Sequence, residues 1–211
     1  DMTDSTPRTS AITVLIADDE HLIRSALATM LDLEDDITVL AQAATGDEAV
    51  ALARSAPVDV ALLDLQMPGL DGIETAQAIR RDHPDTAFLI VTSHGRPGYL
   101  KRALEVGARG FMPKTAQAGD LAAAIRTLAS GGRAIDPELA TDALTIGDSP
   151  LTAREADVLE FSVDGADVSE IARRAHLSEG TTRNYLSAAV TKLGARNRHE
   201  ASAIAREHGW I

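Results

Sequence analysis

The 211-residue sequence contains no cysteine and few aromatic residues, with one tryptophan, two tyrosines and three phenylalanines. Without thiols the chain forms neither disulfide bonds nor thiolate metal sites. No uninterrupted apolar run approaches the ~18 residues that a membrane-spanning helix needs. The polar residues 1–11 lack the apolar core of a secretion signal and are expected to be a disordered N-terminal tail. These absences predict a cytoplasmic protein that makes no membrane contact.

Positive charge is also scarce, since the formal net charge is −12. Such a value argues against nucleic-acid binding when the chain is taken as a whole. The charge is unevenly distributed, however. Residues 1–149 carry 12 Lys and Arg against 23 Asp and Glu, whereas 150–211 carry 8 against 9. Within 173–198 there are six basic residues and one acidic residue, which predicts a local basic surface near the end of the chain.

The front of the chain alternates short β-branched runs with longer helical patterns, which predicts a doubly wound, mostly parallel α/β sheet. We expect five strands in the flavodoxin-like order 2-1-3-4-5. The predicted strands are 13–18, 37–42, 58–64, 87–92 and 110–112, and the predicted helices are 20–33, 46–55, 71–82, 97–106 and 119–130.

The periodicity weakens after Gly131-Gly132, and only helical patterns follow from Leu151 onward. This change predicts a domain at 12–131, a linker at 132–149 with one short helix at 137–144, and an all-α tetrahelical domain at 150–211. Its four helices are expected at 152–163, 167–174, 178–193 and 197–208. The short break at 175–177 is typical of a helix-turn-helix.

Three aspartates are predicted to meet at one edge of the sheet. Asp18 and Asp19 end the first strand, and Asp64 ends the third. In the expected strand order these two ends flank the topological switch point, where open α/β sheets bind ligands. Because the carboxylates repel one another, the cluster needs a cation. Oxygen ligands of this kind favour Mg²⁺.

Two further residues complete the predicted pocket. Thr92 ends the fourth strand with a hydroxyl, and Lys114 follows the fifth strand with an ammonium group. An aspartate can act as a nucleophile towards a phosphoryl group, and a metal, a lysine and a hydroxyl stabilise the transferred group. A single strand-end aspartate is commonly only a turn or a helix cap. The combination at four strand ends indicates phosphoryl transfer.

Four motifs within 12–130 resemble the receiver domain of two-component response regulators. They are Ala17-Asp18-Asp19-Glu20, Leu63-Asp64-Leu65-Gln66-Met67-Pro68-Gly69-Leu70-Asp71-Gly72, Thr92-Ser93 and Phe111-Met112-Pro113-Lys114. The resemblance implies a regulator rather than an enzyme, phosphorylated on Asp64 by a sensor histidine kinase.

The same resemblance implies a role for each site residue. The Mg²⁺ ligands would be Asp18, Asp19, Asp64 and the backbone carbonyl of Gln66, while Thr92 and Lys114 would contact the phosphoryl group. Phe111 matches the switch aromatic, which is often tyrosine, so its inward position would depend on packing alone. His94, two residues after Thr92, would overlook the phosphoryl group and influence its lifetime. His21 opens a helix and is more simply an exposed helical residue.

The C-terminal helices carry signals of their own. Thr152 and Glu155 form a predicted capping box, and Ser178 is a predicted N-cap. Apolar residues recur at helical spacing, which is also consistent with a plain protein-binding module. Arg183, Asn184 and Ser187 follow Ser178 on one helix and suit contacts to bases or phosphates in a major groove.

The segment 150–208 resembles the LuxR-type helix-turn-helix of the NarL/FixJ class. The resemblance rests on Leu151-Thr152-Ala153-Arg154-Glu155, Glu170-Ile171-Ala172, Leu177-Ser178-Glu179-Gly180-Thr181, Lys192-Leu193-Gly194 and Asn197-Arg198-His199-Glu200-Ala201. It implies that Arg183, Asn184 and Ser187 face base edges of double-stranded promoter DNA, that Lys192 and Arg198 hold its backbone, and that the last helix supports a homodimer formed on phosphorylation or DNA binding. Thr182 replaces the usual valine, so we expect slightly weaker anchoring of the recognition helix.

Two other classes of function compete with a phosphorylation-controlled transcription factor: an enzyme on the same fold, and a receiver that acts by protein contact. A phosphatase on this fold would need a second acid beside Asp64, where Leu65 and Gln66 supply none, and a flavin protein would need a Ser-, Thr- and Gly-rich loop. A receiver that acts only by protein contact, with a dimerising tail, remains an alternative. The sequence also leaves open whether phosphorylation relieves inhibition by the receiver or drives dimerisation.

Overall fold

The computed structural model describes residues 11–93, 97–145 and 149–211. The predicted tail therefore lies outside the described residues except for its last position, and so does His94. Over the described ranges the strands are β1 Ile12–Ala17, β2 Ile37–Ala43, β3 Val60–Asp64, β4 Ala87–Thr92, β5 Gly110–Pro113 and β6 Ala134–Ile135. The helices are α1 His21–Leu31, α2 Gly46–Ser55, α3 Gly72–Asp82, α4 Pro97–Glu105, α5 Ala118–Ala129, α6 Pro137–Thr145, α7 Ala153–Phe161, α8 Val168–Arg174, α9 Glu179–Lys192 and α10 Arg198–Glu207.

The strands form a parallel sheet in the order β2-β1-β3-β4-β5-β6. The predicted order of the first five strands is confirmed, but the predicted count of five is wrong. Residues expected to begin the linker form β6 instead, where the N–H of Ala134 donates to the carbonyl of Arg109 over 2.9 Å and that of Asp136 to Phe111 over 3.0 Å. Two residues are too few to produce a periodic pattern, so this strand could not be predicted from the sequence.

Helices cover both faces of the sheet, as the doubly wound fold requires. Leu15 and Leu63 point into one core with α2, α3 and α4, while Ile16 and Leu62 point into the other with α1 and α5. Their neighbours in β1 and β3 are fully buried on alternating sides, which explains the continuous apolar runs in these strands.

The predicted helix in the linker is confirmed as α6. It packs on α4, and Leu139 and Ala140 extend the core beside Tyr99 and Leu100. The first half of the predicted linker is therefore attached to the α/β domain through β6 and α6.

The C-terminal residues form the predicted four-helix unit. The capping box between Thr152 and Glu155 is confirmed, and so is the N-cap of Ser178, whose side chain accepts from the N–H of Thr181. Leu159, Ile171 and Ala189 lie at the centre of its separate core. None of the helices in the described ranges is long and apolar enough to cross a membrane.

Candidate phosphoacceptor site and domain interface

The three predicted carboxylates meet at the carboxyl ends of β1 and β3. One oxygen each of Asp18, Asp19 and Asp64 lies within 4.8 Å of the others. Asp18 and Asp64 are buried and Asp19 is half-buried. The parallel pairing of β1 with β3 brings them together, because strands paired in this direction end at the same edge of the sheet.

The loop after Asp64 is held tightly against the sheet. The N–H of Leu65 donates to Val91 over 2.8 Å, and that of Gly72 donates back to Leu65 over 3.0 Å. A Cβ on Gly72 would collide with the carbonyl oxygen of Asp64, so only glycine allows α3 to start here. This return of the chain fixes Gln66 directly beside Asp64.

Lys114 connects the ends of β1, β3 and β5. Its backbone N–H donates to the carbonyl of Thr92 over 2.7 Å, which fixes the residue at the pocket. Its Nζ lies 2.8 Å from Oδ2 of Asp18 and 3.0 Å from Oδ2 of Asp64. A third carboxylate, Oε1 of Glu20, lies 3.2 Å away. The lysine thus partly compensates the acidic cluster.

Burial and charge together shift the pKa values of the two buried aspartates and of Lys114. It raises the pKa of Asp64 to about 7, with Asp18 adding to the rise and Lys114 opposing it. Burial also raises the pKa of Asp18 despite the bond to Lys114. Burial alone would lower the pKa of Lys114, but Asp64 and Asp18 outweigh it and raise that pKa. The pocket therefore favours an additional positive charge.

The other predicted pocket residues lie at neighbouring strand ends. Thr92 is buried at the end of β4, where it pairs with Pro113 of β5. Phe111 is buried in the core on the α4 side of the sheet.

The pocket fits a hard divalent cation. Its donors are carboxylate oxygens, the ligand type that Mg²⁺ prefers. Oδ2 of Asp18 is fully buried and, within the described residues, makes no well-directed hydrogen bond despite its short ion pair with Lys114. A cation between the three aspartates would satisfy this oxygen.

The C-terminal unit lies directly over this pocket. Nε2 of His176, in the turn between α8 and α9, lies 3.0 Å from Oδ2 of Asp19. Nε2 of Gln66 lies 3.5 Å from Oδ1 of the buried Asp157 on α7. These two contacts join the C-terminal unit to Asp19 of the acidic cluster and to Gln66, which follows Asp64 by two residues.

Arg154 adds a second anchor at the same end of the sheet. Its guanidinium donates to the carbonyl of Gly69 over 3.0 Å and lies 4.0 Å from Oε2 of Glu74. These interface residues could not be predicted from the sequence, because each of them is of a type common in exposed helices and turns. Only the fold shows that they share a surface.

The predicted DNA-contact residues of α9 are exposed along one side of the helix. Arg183, Asn184 and Ser187 all point to solvent, and Arg183 pairs with Glu179 over 2.6 Å. Thr182 is fully buried instead, and its hydroxyl donates to the carbonyl of Ser178 over 3.0 Å. The threonine in place of valine is therefore accommodated with its polar group satisfied.

Lys192 and Arg198, the two residues predicted to bind the DNA backbone, differ in their surroundings. Nζ of Lys192 lies 2.8 Å from Oε2 of Glu155, so its charge already has a partner within the unit. Arg198 is half-buried at the first turn of α10, directly after the N-cap Asn197. The four-helix unit thus presents one exposed polar helix face and one internally paired lysine.

The comparisons with known proteins agree with both halves of this geometry. Residues 14–126 match the family described as "Response regulator receiver domain", and residues 149–205 match "Bacterial regulatory proteins, luxR family". The chain belongs to the response regulator family. It is 38% identical to the transcriptional regulatory protein DesR of Bacillus subtilis over 202 residues, covering 95% of this chain and 99% of the relative. It is also 39% identical over 201 residues to the response regulator RamR of Streptomyces coelicolor, covering 94% and 98%.

Solved response regulators share the architecture. The crystal structure of the response regulator ChrA from a heme-sensing two-component system is 31% identical, and the likeness covers 96% of this chain and 100% of that one with a TM-score of 0.56. This response regulator therefore has a receiver domain and a LuxR-type DNA-binding domain in one chain. The family is one of transcriptional regulators.

Proposed function

We propose that this response regulator accepts a phosphoryl group on Asp64 from a sensor histidine kinase, and that the modification controls DNA binding by α9. The observation that supports this most directly is the meeting of Asp18, Asp19 and Asp64 within 4.8 Å, with Lys114 3.0 Å from Asp64. A buried carboxylate that can act as the nucleophile, a cation site and a lysine beside them are the groups that phosphoryl transfer to a carboxylate uses.

Each pocket residue has a step to perform. A carboxylate oxygen of Asp64 forms the new bond to phosphorus while the bond from phosphorus to the donor nitrogen breaks. Asp18, Asp19, Asp64 and the backbone carbonyl of Gln66 would hold Mg²⁺, which neutralises charge on the phosphoryl oxygens when bound. Lys114 turns from the carboxylate of Asp64 to a phosphoryl oxygen, and the hydroxyl of Thr92 donates to another. Phe111 then adjusts its packing as Thr92 moves.

The DNA-binding step belongs to the exposed face of α9. Arg183, Asn184 and Ser187 carry side chains that suit base edges in a major groove, and Arg198 suits a phosphate. Lys192 would have to leave Glu155 before it could bind the DNA backbone. A homodimer through α10 would place two recognition helices about one helical turn apart, roughly 10 base pairs of promoter DNA.

The domain interface favours relief of inhibition as the regulatory step. His176 lies two residues before Ser178, the N-cap of α9, and it contacts the receiver at Asp19. A duplex cannot approach the start of α9 while the receiver occupies that position. A phosphoryl group on Asp64 adds about two negative charges close to Gln66, whose side chain contacts the buried Asp157. Repulsion between this charge and Asp157 would separate the domains and free α9.

Intact-mass measurement tests the assignment of Asp64. We expect the wild-type chain, incubated with Mg²⁺ and acetyl phosphate, to gain the mass of one phosphoryl group, and Asp64→Ala to gain none. Asp85→Ala is the matched control, since Asp85 is an exposed receiver aspartate and should leave the modification intact. Equal labelling of Asp64→Ala and wild type would overturn the proposal.

A further inference from the structure

The turn of the helix-turn-helix carries an unusual residue at the domain interface. His176 has φ 54°, and within the described residues it is the one non-glycine residue with positive φ. A side-chain-bearing residue rarely adopts this conformation, although histidine tolerates it better than most. Such a conformation persists only where the surrounding structure holds it. Here it directs the ring towards the receiver, where Nε2 contacts Oδ2 of Asp19.

The carboxylate that His176 contacts is the one that the metal would need. Asp19 is the half-buried member of the three-aspartate cluster, while Asp18 and Asp64 are buried and bonded to Lys114. Mg²⁺ demands near-octahedral oxygen coordination at about 2.0–2.1 Å and keeps several water ligands. An imidazole nitrogen 3.0 Å from Oδ2 of Asp19 occupies a position beside this ligand that a hydrated cation would otherwise use.

From this geometry we propose that His176 and Mg²⁺ compete for Asp19, so that metal binding alone, before any phosphorylation, weakens the contact between the recognition-helix turn and the receiver. The proposal rests on the function proposed above and adds a second input to it. Mg²⁺ and the DNA-binding domain then oppose each other at one carboxylate. Gln66, Asp157 and Arg154 supply the remaining interface contacts, which phosphorylation of Asp64 weakens further.

Reciprocity makes the competition measurable from either side. If closure of the domains weakens Mg²⁺ binding by a given factor, Mg²⁺ weakens closure by the same factor. Removal of the His176 contact should therefore tighten Mg²⁺ binding. We expect at least about a fivefold change, the lower end of coupling between two sites.

The test compares the full-length wild type with His176→Asn and His199→Asn by calorimetric titration with Mg²⁺ alone. Asparagine tolerates the left-handed backbone of the turn, and its shorter side chain does not reach Asp19 as the ring does. His199 lies exposed on α10, so His199→Asn is the matched control. A second variant, His176→Gly, removes the side chain without backbone strain and guards against a folding defect of the first.

Domain separation supplies a second readout. Because the chain has no cysteine, the double variant Asp85→Cys with Arg206→Cys can be labelled with one dye in each domain. Energy transfer between the two dyes then reports the distance between the domains. We expect Mg²⁺ without a phosphodonor to lower energy transfer in the wild type, and His176→Asn to start from low transfer and change little.

The outcomes separate this inference from the proposed function. Tighter Mg²⁺ binding in both His176 variants, with unchanged binding in His199→Asn, supports the competition. Equal or weaker Mg²⁺ binding in the His176 variants overturns it, whereas the proposed function stands if Asp64 is still phosphorylated in these proteins. Failure of the wild type to bind Mg²⁺ at all overturns both the competition and the metal site.

Discussion

Lys114 and Asp64 form an ion pair of 3.0 Å between the end of β5 and the end of β3. The side chain of Lys114 is only 10% exposed, so the pair is largely shielded from water. The same ammonium lies 2.8 Å from Asp18. One lysine therefore compensates two buried carboxylates.

Replacing Lys114 with methionine should destabilise the receiver by about 3 kcal/mol in the absence of divalent cations, because removal of one partner leaves buried charges uncompensated. Added Mg²⁺ should restore more stability to Lys114→Met than to the wild type, since no ammonium then competes for the aspartates. Chemical unfolding with and without Mg²⁺ measures both effects. Lys101→Met, an exposed lysine on α4, is the control, and an equal response to Mg²⁺ in all three proteins would contradict the explanation.

The ion pair of Glu155 with Lys192 should make the stability of the DNA-binding domain depend on pH. Burial would raise the pKa of Glu155, but hydrogen bonds from Lys192 and Thr152 outweigh it and lower that pKa. A lowered pKa in the folded state contributes stability above the unfolded value of 4.5, and this contribution is lost as the pH falls through the folded value.

Glu155→Gln keeps a residue type that serves a capping box but removes the charge. We expect the wild type to be more stable than this variant near neutral pH and the difference to shrink in acid. Fluorescence of Trp210, the one tryptophan of the chain, reports on this domain because the residue packs against its core. A stability difference that stays constant from neutral to acid pH would exclude the ion pair as its source.

Arg183 and Lys192 should affect DNA binding in different ways. Arg183→Ala should relax base preference, at a cost of about 1–3 kcal/mol for one lost base contact. Lys192→Ala should weaken binding to all sequences and reduce the salt slope by about one. Titrations on specific and scrambled duplexes at several salt concentrations separate the two. Arg54→Ala, the same charge change on the receiver, is the control, and an unchanged specificity ratio in Arg183→Ala would rule out base contact by this residue.

The sequence predicted those parts of the fold that repeat over many residues or stand at strand ends. The buried runs of β1 and β3 and the helix signals at Thr152 and Ser178 are local features, and the structure has each of them where expected. Parallel strand order then places Asp18 and Asp64 together without knowledge of any side-chain contact.

Contacts between distant surface residues could not be predicted in this way. β6 depends on two backbone hydrogen bonds, and no side-chain pattern encodes them. The contacts of His176 with Asp19 and of Arg154 with Gly69 depend on how the two domains dock. The periodicity of the sequence within one domain carries no information about this docking. The ion pair of Lys192 with Glu155, 37 residues earlier in the chain, likewise could not be predicted from the sequence around Lys192.

The affinity of the full-length protein for DNA, with and without a phosphoryl mimic on Asp64, tests the central claim most directly. A duplex enriched from random DNA by the full chain serves as the probe, and beryllofluoride with Mg²⁺ serves as the mimic. We predict that beryllofluoride tightens binding by the wild type and leaves binding by Asp64→Ala unchanged. Equal affinity of the wild type with and without beryllofluoride, or an equal response in Asp64→Ala, would contradict control of the DNA-binding domain through Asp64.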